Sequence, residues 1–509
     1  MATKRKPNYL ESSKNLIRMN SILLGMFIIF TLNEFVRFLL VDQGNQVSHW
    51  VLTDWLIDYS TGFVRRGLSG EAVNLLLGIS RPINTVAITI WIIFIVVIIG
   101  YLRLVYRSKN LLKPLTTTFG ILFLPCLLPF YLYDHGAFGR KEVLGLILVL
   151  YHLLTLESLN LSKANREGLT KRYLKRLLPI SFLLLPALIF IHESTFFLYL
   201  PIHGIITLAV LRYDQSTNTR KRLFYLIMAY SPVLLSFLIV YFFGSPGVAQ
   251  ARSICYKWEN LNVFDTNYCH DMNGSIGSLA IPLSNGVRRF LNLTVSKALV
   301  WFLDILILGL STAFLGGQVI RDTQIKAFPE GLDDKSVSQI SNTILIKYFL
   351  LPLILSLPLY VIAIDYGRWW TVASINFIIV TLSPEIIRLE LDTEKWIGTV
   401  TKNFRVILYI LSGAAFLVFL TALVIDYVKE GIQTLALLFS IIFLFIGLLG
   451  DKLNRLIQKI TDLDNNKIYF GVLVFILFVV HFVRIPHVGY DELLMISEPY
   501  RSIIRNLLK

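Results

Sequence analysis

The stretch Val86-Ala-Ile-Thr-Ile-Trp-Ile-Ile-Phe-Ile-Val-Val-Ile-Ile-Gly-Tyr-Leu102 contains no charged residue and decides the fold class. Its length approaches the ~20 residues that an α-helix needs to cross a bilayer. Similar runs recur along all 509 residues, of which 55% are hydrophobic and 16% charged, and the mean hydropathy is +0.65. This composition predicts an integral membrane protein and argues against a soluble domain.

The apolar runs predict an all-α, polytopic fold with about 13 membrane spans, within a range of about 11 to 14. We expect residues 1–509 to form a single integral membrane domain, with residues 244–294 as a long external loop within it. A short amphipathic segment, Leu68–Ile79, is expected to lie in the membrane interface on the external face. The predicted spans are 19–40, 84–105, 115–133, 143–158, 177–192, 195–211, 223–243, 295–316, 345–363, 370–386, 405–427, 432–450 and 468–484.

The distribution of basic residues predicts the orientation of the chain. Lys4, Arg5, Lys6, Lys14 and Arg18 precede the first span, and most of the 48 lysine and arginine residues fall in alternate connections. Cytoplasmic loops carry such an excess. The N-terminus is therefore expected in the cytoplasm, and an odd number of spans places the C-terminus outside. This bias also explains most of the net charge of +15 without a nucleic-acid partner.

The first external loop carries the segment Asp58-Tyr-Ser-Thr-Gly-Phe-Val-Arg-Arg-Gly67. Arg65 and Arg66 are adjacent guanidinium groups, which suit an anionic phosphate because each can form two parallel hydrogen bonds. The alternative is that both arginines reach lipid phosphates and that Asp58 merely neutralises them. The positions of the other charges favour a binding site.

Three further external loops each bring an acid and a base to the same side of the membrane. They follow the third span, end the fifth span, and join the ninth span to the tenth. Charges at the ends of apolar helices are costly and usually face a cavity. Their convergence predicts one site, and the alternative is a set of scattered ion pairs. The residues concerned are Asp134, Arg140, Lys141, His192, Glu193, Asp365 and Arg368.

Asp58 is the first candidate for a catalytic base, because nearby cations would keep its carboxylate ionised. Asp54 lies four residues earlier and would share a helical face with it, so either could act. His192 is the second candidate, with Glu193 or Asp365 orienting the imidazole. The alternative for His192 is a buried imidazole whose hydrogen bonds are simply satisfied.

Trp301, Trp369 and Trp370 fit the aromatic belt found at membrane interfaces. Trp369 and Trp370 could instead stack on a sugar ring. Trp369 is therefore included among the candidate substrate-binding residues.

Cys255 and Cys269 both lie in the long external loop, where an oxidising compartment would permit a disulfide bond. A metal site with His270 as the third ligand is the alternative, but the Cys-x-x-Cys spacing typical of such sites is missing. Cys126 lies in an apolar stretch and is expected to be a small core residue.

A carboxylate in the first external loop followed by an interfacial helix resembles the GT-C class of integral membrane glycosyltransferases. The arginine- and histidine-containing external loops are also similar to those of O-antigen polymerases and ligases. Gly62-Phe-Val-Arg-Arg-Gly67, His192-Glu193 and Asp365-x-x-Arg368 together resemble uncharacterised bacterial membrane proteins of surface-polysaccharide loci.

The resemblance implies a glycosyltransferase or polymerase at the external face of the bacterial inner (plasma) membrane. Its partners would be a polyprenyl (pyro)phosphate-linked sugar donor, a glycan or lipid-linked acceptor, and membrane lipid. The first loop lacks the Asp-x-Asp or Glu-x-Asp pair of well-known GT-C members. A divalent cation is possible, with Asp54 and Asp58 as ligands, but a site without a cofactor is favoured.

Two other functions remain open on the sequence. A transporter or flippase of lipid-linked sugars would also have many spans and buried charges, usually with internal repeats and polar groups near the middle of the membrane. A non-catalytic scaffold of a polysaccharide assembly complex is the other. Strong charges at one face, and no repeat that we can detect, favour an enzyme.

Overall fold

The computed structural model describes residues 9–41, 49–77, 82–108, 112, 117–124, 126–133, 137–159, 161, 168–214, 216–261, 263, 274–281, 283–292, 294–327, 334–362, 366–391, 436–437 and 440–441. Over these residues the secondary structure is helical and contains no strand. The helices are α1 (Tyr9–Val41), α2 (His49–Trp55), α3 (Gly67–Leu77), α4 (Pro82–Ser108), α5 (Phe119–Phe123), α6 (Pro129–Tyr133), α7 (Val143–Ser158), α8 (Leu169–Leu178), α9 (Leu185–Ile191), α10 (Ser194–Tyr213), α11 (Thr219–Phe243), α12 (Val248–Asn260), α13 (Gly274–Leu279), α14 (Leu283–Leu291), α15 (Val295–Ala327), α16 (Asp334–Leu345), α17 (Leu351–Leu355), α18 (Leu357–Ile362), α19 (Tyr366–Thr381) and α20 (Pro384–Leu391).

Within the described chain, five continuous helical stretches are long and apolar enough to cross a membrane. A π-helical segment, Pro179–Leu184, joins α8 to α9, so that these helices form one span. Each of the five overlaps a span predicted from the sequence, and the protein is a helical, multi-pass membrane protein. The five stretches are Pro82–Ser108, Leu169–Ile191, Ser194–Tyr213, Thr219–Phe243 and Ile340–Val361.

Other predicted spans coincide with helices outside that set of five. Shorter apolar helices cover Ile17–Asn33 and Val143–Ser158, and the predicted span 295–316 lies within α15. The predicted spans 405–427, 432–450 and 468–484 lie outside the described residues, apart from 436–437 and 440–441. The total of about 13 spans therefore stays a prediction.

The expectation of one continuous helix over 115–133 is wrong. Two short helices, α5 and α6, occupy this stretch, and Leu124 between them is extended, with φ −65° and ψ 123°. Proline follows Leu124 in the sequence, and a residue before proline is driven out of the helical region by steric clash. The apolar length of this stretch predicted a span, but the proline after Leu124 interrupts the helix.

The predicted span 370–386 is also interrupted. Helices α19 and α20 are bent by 80° at the break between them. Pro384 begins α20, and the Ser383 hydroxyl donates to the Glu385 carboxylate at 2.9 Å. Proline is favoured at the first turn of a helix because its missing N–H is not needed there, and it cannot continue the preceding helix.

Helices α7 and α10 lie at the centre of the bundle. Helix α7 packs against α4, α10 and α19, whereas α10 also packs against α11, and α15 packs against α19. At one end of this bundle Arg107 pairs with Glu157 at 2.6 Å and lies 3.6 Å from Glu385. The start of α7, the junction of α9 with α10, and the start of α19 lie at the opposite end, where most of the predicted site residues are found.

Candidate functional site

The loop between α2 and α3 folds around its own polar groups. Asp58 Oδ1 accepts hydrogen bonds from the backbone N–H of Ser60 at 3.0 Å and from its hydroxyl at 2.6 Å. Asp side chains commonly close turns in this way. Gly70 lets α3 approach the loop, since a Cβ at this position would lie 2.2 Å from the Ile57 carbonyl oxygen.

Helix α12 fixes the same loop from outside. The indole N–H of Trp258 donates to the Leu56 carbonyl at 2.8 Å, and the Gln250 amide donates to the Thr61 carbonyl at 2.9 Å. These contacts join residues about 190 to 200 positions apart in the sequence, and satisfied buried hydrogen bonds of this kind specify a single loop conformation.

Arg66 is the centre of the charged cluster. Its Nη2 lies 2.7 Å from Glu193 Oε1, its Nε donates to Glu193 Oε2 at 2.9 Å, and its Nη1 lies 3.3 Å from Asp54 Oδ1. Burial lowers the pKa of Arg66, but the charges of Glu193 and Asp54 outweigh this and raise it overall. Arg66 also has a φ of 67°, a left-handed conformation that is costly for a residue with a side chain.

The predicted interaction of Arg66 with phosphate is therefore not the one that the structure contains. Nε and Nη2 donate to the carboxylate of Glu193, and Nη1 donates to that of Asp54, so both edges of the planar guanidinium group already bind carboxylates. Glu193 was predicted to assist catalysis by orienting His192, and in the structure its carboxylate binds Arg66. Burial raises the pKa of Glu193, but Arg66 outweighs burial and holds it well below its usual range.

Lys141 is completely buried beside the carboxylate of Asp54. Its Nζ lies 3.7 Å from Asp54 Oδ1 and donates to the Arg66 carbonyl oxygen at 3.4 Å. Burial lowers the pKa of Lys141 to about 8, although the negative charge of Asp54 opposes the shift. Arg140 is also buried, and its charge contributes to the field at Asp54.

Asp54 is buried at the meeting point of these cations. Burial opposes its ionisation, but the charges of Lys141 and Arg66 outweigh that effect and lower its pKa to about 2. Oδ1 faces the cations, whereas Oδ2 is buried and has no hydrogen-bond partner within the described structure. An ionised carboxylate oxygen without a donor is costly in a protein interior.

Asp58 lies in a separate ion pair, so the expectation that it shares a pocket with the two arginines is wrong. Lys257 Nζ lies 2.5 Å from Asp58 Oδ2, and the Asn74 amide donates to the same oxygen at 3.2 Å. Together with the turn formed by Ser60, these contacts occupy both carboxylate oxygens. Asp58 therefore has both carboxylate oxygens bonded, whereas Asp54 Oδ2 has no partner among the described residues.

His192 breaks the chain between α9 and α10, in an extended conformation with φ −161°. Its Nδ1 accepts from the backbone N–H of Ser194 at 3.3 Å and contacts the Ser194 hydroxyl at 2.7 Å. Burial, reinforced by the charge of Arg66, lowers the pKa of His192 to about 4, so the imidazole is neutral at pH 7. Because Nδ1 is the acceptor, the neutral ring carries its proton on Nε2.

That tautomer makes His192 a hydrogen-bond donor. Of the predicted orienting groups, Glu193 binds Arg66 instead, and Asp365 lies outside the described residues; Ser194 contacts Nδ1. Nε2 has no hydrogen-bond partner in the part of the chain that the structure describes. A neutral donor of this kind can bind an anionic or carbonyl-like oxygen, but it cannot accept a proton from a hydroxyl group at the same nitrogen.

Arg65 lies at the edge of the cluster, and its guanidinium group binds backbone carbonyls. Its Nη2 donates to the carbonyl oxygens of Ser278 at 3.4 Å and Leu279 at 3.2 Å, and its Nε is buried and has no partner in the described part of the chain. No carboxylate of the described residues pairs with Arg65. Burial lowers the pKa of this guanidinium group, although Glu193 opposes the shift.

Arg368 forms a buried ion pair that the sequence did not indicate. Its Nε lies 2.8 Å from Glu142 Oε1, and both side chains are almost completely inaccessible. The Tyr199 hydroxyl donates to the backbone carbonyl of Glu142 at 2.6 Å. This pair joins the start of α19 to the start of α7. Asp365, the predicted partner of Arg368, lies outside the described residues.

Trp369 and Trp370 do not form an aromatic belt at the membrane surface, since both are buried. Trp369 meets Tyr360 edge to face at 5.3 Å, and Trp370 meets Phe349 in the same way at 5.8 Å. Such aromatic pairs stabilise helix packing. The side chain of Trp301 lies outside what the structure describes.

The remaining sequence-predicted residues are described in part. Asp134 and Cys269 lie outside the described residues. Cys255 is disulfide-bonded on α12, and its pairing with Cys269 stays a prediction. Over the described chain, no three histidine, cysteine or acidic side chains converge as a metal site would require. Asp54 pairs with Arg66 and Lys141, whereas Asp58 pairs with Lys257, so the two carboxylates do not converge on one point.

Sequence reasoning missed Glu142 and Lys257, which form ion pairs with Arg368 and Asp58. Glu142 directly follows Arg140 and Lys141, so its position in a charged loop was the available signal. Lys257 is 199 residues from Asp58, and no local pattern connects them.

The described cluster therefore offers three kinds of chemistry at one end of the bundle. Asp54 supplies an ionised carboxylate oxygen, His192 supplies a neutral N–H donor, and Arg65 supplies a cation without a carboxylate partner. A general base, a neutral donor and a guanidinium group are the groups that an acyl, phosphoryl or glycosyl transfer reaction needs.

Comparison with known proteins gives a membrane family and no activity. No curated protein and no solved structure matches the chain. The resemblance to GT-C glycosyltransferases and O-antigen polymerases therefore gains no support. Residues 22–269, which include the described site residues from Asp54 to Lys257, match the model of a family described as "Uncharacterised membrane protein Rv1490".

Proposed function

We propose that this protein is a membrane glycosyltransferase or polymerase that acts on polyprenyl (pyro)phosphate-linked sugars in cell-surface polysaccharide assembly. The reaction would take place at the external face of the bacterial inner membrane. The proposal rests chiefly on Asp54, an ionised carboxylate that is completely buried among cations and has one oxygen without a donor among the described residues. Both carboxylate oxygens of Asp58, four residues later, accept hydrogen bonds.

Each group has a role in such a transfer. Asp54 would accept the proton from the acceptor hydroxyl, and Arg65 would bind the phosphate of the lipid-linked donor. As the glycosidic bond to phosphate breaks, negative charge grows on the leaving phosphate, and fixed donors stabilise it. The Nε2–H of His192 is a second donor for that phosphate, and Lys141 keeps Asp54 ionised.

The location of the cluster also fits a lipid-linked substrate. The site lies at the ends of α7, α9, α10 and α19, where a head group in the membrane interface could reach it. Arg66, Glu193, Arg368 and Glu142 would hold the loops in place without contacting the substrate. No metal ion is needed, because arginine and lysine supply the positive charge.

A flippase of lipid-linked sugars is the second candidate, and one feature favours it. Helices α19 and α20 are bent by 80° at their break, and the buried Glu390 of α20 pairs with Lys347. Broken helices with charged partners inside the bundle are common in transporters. This feature lies at the end of the bundle opposite Asp54.

The proposal can be tested with purified protein in vesicles that contain polyprenyl-linked sugars. These lipids are extracted from the bacterium in which the protein naturally occurs. The wild type should form new glycosidic bonds, detected by mass spectrometry of the lipid-linked products. Asp54→Asn keeps the size of the side chain but removes its basicity, so it should bind donor lipid and lose turnover. A scaffold would form no product with either chain.

Asp58→Asn is the matched control, because Asp58 is equally buried and only four residues away. Per folded molecule, it should retain turnover. If Asp54→Asn kept full turnover and Asp58→Asn had none, the catalytic base would be Asp58, as the sequence predicted. If intact donor lipid moved across the bilayer and no glycosidic bond formed, the protein would be a flippase and the proposed enzyme activity would be wrong.

A further inference from the structure

Four exposed cations lie at the end of the bundle opposite the candidate site. Two of them are on α8 and two are at the start of α11, and these two helices pack against each other. The four residues, called the basic surface below, are Lys171, Lys175, Arg220 and Lys221.

Contacts at the far ends of the same two spans establish the position of the basic surface. Glu193, which lies just beyond α9, binds Arg66. Gly244, which follows α11, accepts a hydrogen bond from the backbone N–H of Arg65 at 2.7 Å. Both spans therefore end beside the candidate site, and their starts lie at the opposite end of the bundle.

The lengths of the two spans place the basic surface at the level of lipid head groups. At the rise per residue of an α-helix, Lys171 lies about 30 Å from Ile191, and Arg220 lies about 35 Å from Phe243. The hydrocarbon core of a bilayer is about 30 Å thick. With the far ends of the spans at one surface of the membrane, these cations reach the phosphate groups of the other leaflet.

Carboxylates of the bundle neutralise other cations at this end, but not the basic surface. Arg107 and Arg103 of α4 both pair with Glu157, at 2.6 Å and 3.7 Å. Among the described residues, no carboxylate pairs with a member of the basic surface. From Gly168 to Arg222 the sequence contains two acidic residues, of which one, Glu193, lies at the other end of the bundle.

The second acidic residue, Asp214, is buried and holds the two helix starts together. Its Oδ2 accepts a hydrogen bond from the backbone N–H of Thr170 at 3.0 Å. Its Oδ1 accepts from the backbone N–H of Ser216 at 3.0 Å and from its hydroxyl at 2.6 Å. The start of α8 is thus joined to the turn before α11, which keeps the cations of both helices close to each other.

Exposed apolar side chains continue from the basic surface towards the middle of each span. On α11, Phe224 and Ile227 are exposed and share a helical face with Arg220. In the other span, Leu178 and Phe182 are exposed after the two lysines. A ligand that covers both parts has an anionic head and apolar chains. This is the chemistry of a phospholipid, whereas a soluble acidic protein would leave the apolar part uncovered.

We propose that the basic surface binds anionic phospholipids of the adjoining leaflet, with the head group on the cations and the acyl chains along the exposed apolar residues. Clusters of lysine and arginine beside a membrane span attract anionic lipids electrostatically. Cations that only extended into water would not distinguish an anionic lipid from a zwitterionic one. The binding is independent of glycosyl transfer and uses none of the residues assigned to that reaction.

Native mass spectrometry of the full chain in an uncharged detergent tests this binding. Phosphatidylglycerol and phosphatidylcholine with the same acyl chains are added in equal amounts, and the retained lipid is identified by its mass. The wild type should retain more phosphatidylglycerol. Each cation near an anionic membrane surface strengthens the attraction about fivefold, so Lys171→Gln/Lys221→Gln should weaken phosphatidylglycerol binding by roughly ten- to thirtyfold. Binding of phosphatidylcholine should not change.

Arg252→Gln/Arg288→Gln is the matched control, because it removes the same amount of charge from exposed positions on α12 and α14. It should retain phosphatidylglycerol as the wild type does. Lys171→Arg/Lys221→Arg keeps both charges and should also preserve the preference. Equal retention of the two lipids by the wild type would overturn the proposal. An equal loss of phosphatidylglycerol from both glutamine variants would do the same, since it would show a dependence on net charge alone.

Discussion

Arg66 and Glu193 form a two-pronged ion pair between positions 127 residues apart, with Nη2–Oε1 at 2.7 Å and Nε–Oε2 at 2.9 Å. The pair joins the loop before α3 to the junction of α9 and α10. It also holds Arg66 in a left-handed backbone conformation that is otherwise strained. The segment that contains Arg65 and Arg66 is therefore in contact with the segment that contains His192 and Glu193.

The first prediction follows from the planarity of this pair. Arg66→Lys keeps the charge but loses the two-pronged contact, so we expect it to destabilise the fold by about 2 kcal/mol, less than the loss of a fully buried pair because both side chains are partly exposed. Thermal unfolding in detergent, followed by circular dichroism, would report this as a lower midpoint.

A double-mutant comparison checks the assignment. Arg66→Lys combined with Glu193→Gln should lose less stability than the sum of the two single changes, because each single change already breaks the same contact. Strict additivity would mean that the two residues do not depend on each other. Arg66 would then be available for phosphate, as the sequence first suggested.

The second prediction separates the two adjacent arginines. Arg65 has no carboxylate partner among the described residues, so Arg65→Ala should weaken binding of polyprenyl phosphate while leaving the unfolding midpoint within a few degrees of wild type. Arg66→Ala should do the opposite and chiefly reduce stability. Binding can be measured by quenching of intrinsic tryptophan fluorescence. Equal lipid affinity in wild type and Arg65→Ala would remove Arg65 from the site.

The third prediction concerns Asp58 and Lys257. Lys257→Met leaves a buried carboxylate without its cation and should destabilise the fold by about 2–3 kcal/mol. The double variant Asp58→Asn/Lys257→Met should recover part of this loss, since no buried charge remains. A double variant as unstable as Lys257→Met alone would show that Asp58 does not depend on Lys257.

The sequence predicted the membrane class and several spans because apolar length is a local property. It failed at 115–133, where the proline after Leu124 interrupts the helix, and it did not foresee the 80° bend at Pro384 within the span predicted at 370–386. Hydropathy averages over many residues, whereas a single proline removes a backbone donor at one position.

The site was predicted in composition but not in pairing. Local spacing suggested that Asp58 would serve Arg65 and Arg66, but Asp58 binds Lys257, and Arg66 binds Glu193. The loop reverses direction through positive-φ residues at Gly62 and Arg66, so neighbours in sequence face different partners. Contacts between distant segments leave no periodic signal, and only the folded chain reveals them.

The fourth prediction tests the orientation inferred from the basic residues. Ser284→Cys on α14 and Lys175→Cys on α8 both place a thiol at an exposed position, while the native Cys126 is buried. A membrane-impermeant maleimide should label residue 284 in intact spheroplasts and residue 175 only after permeabilisation. The reverse pattern would place Asp54 and its cluster on the cytoplasmic side.

The fifth prediction uses the pKa of Lys141, which burial lowers to about 8 although Asp54 opposes the shift. Below this pH the protonated amine contributes a positive charge beside Asp54, so affinity for polyprenyl phosphate should fall as pH rises through about 8. Stability should change in the opposite direction. Between about 8 and the ordinary value of 10.5, the unfolded chain holds a proton that the folded chain has lost, so the free energy of unfolding contributed by Lys141 rises with pH.

Those opposite signs distinguish Lys141 from general alkaline denaturation, in which affinity and stability would fall together. Lys141→Arg retains its charge at high pH, so its affinity for the lipid phosphate should stay level where that of the wild type declines. Both quantities can be measured on one protein sample across pH 7 to about 10, by lipid titration and by thermal unfolding. A wild-type affinity that is flat over this range would show that the charge of Lys141 does not reach the bound phosphate.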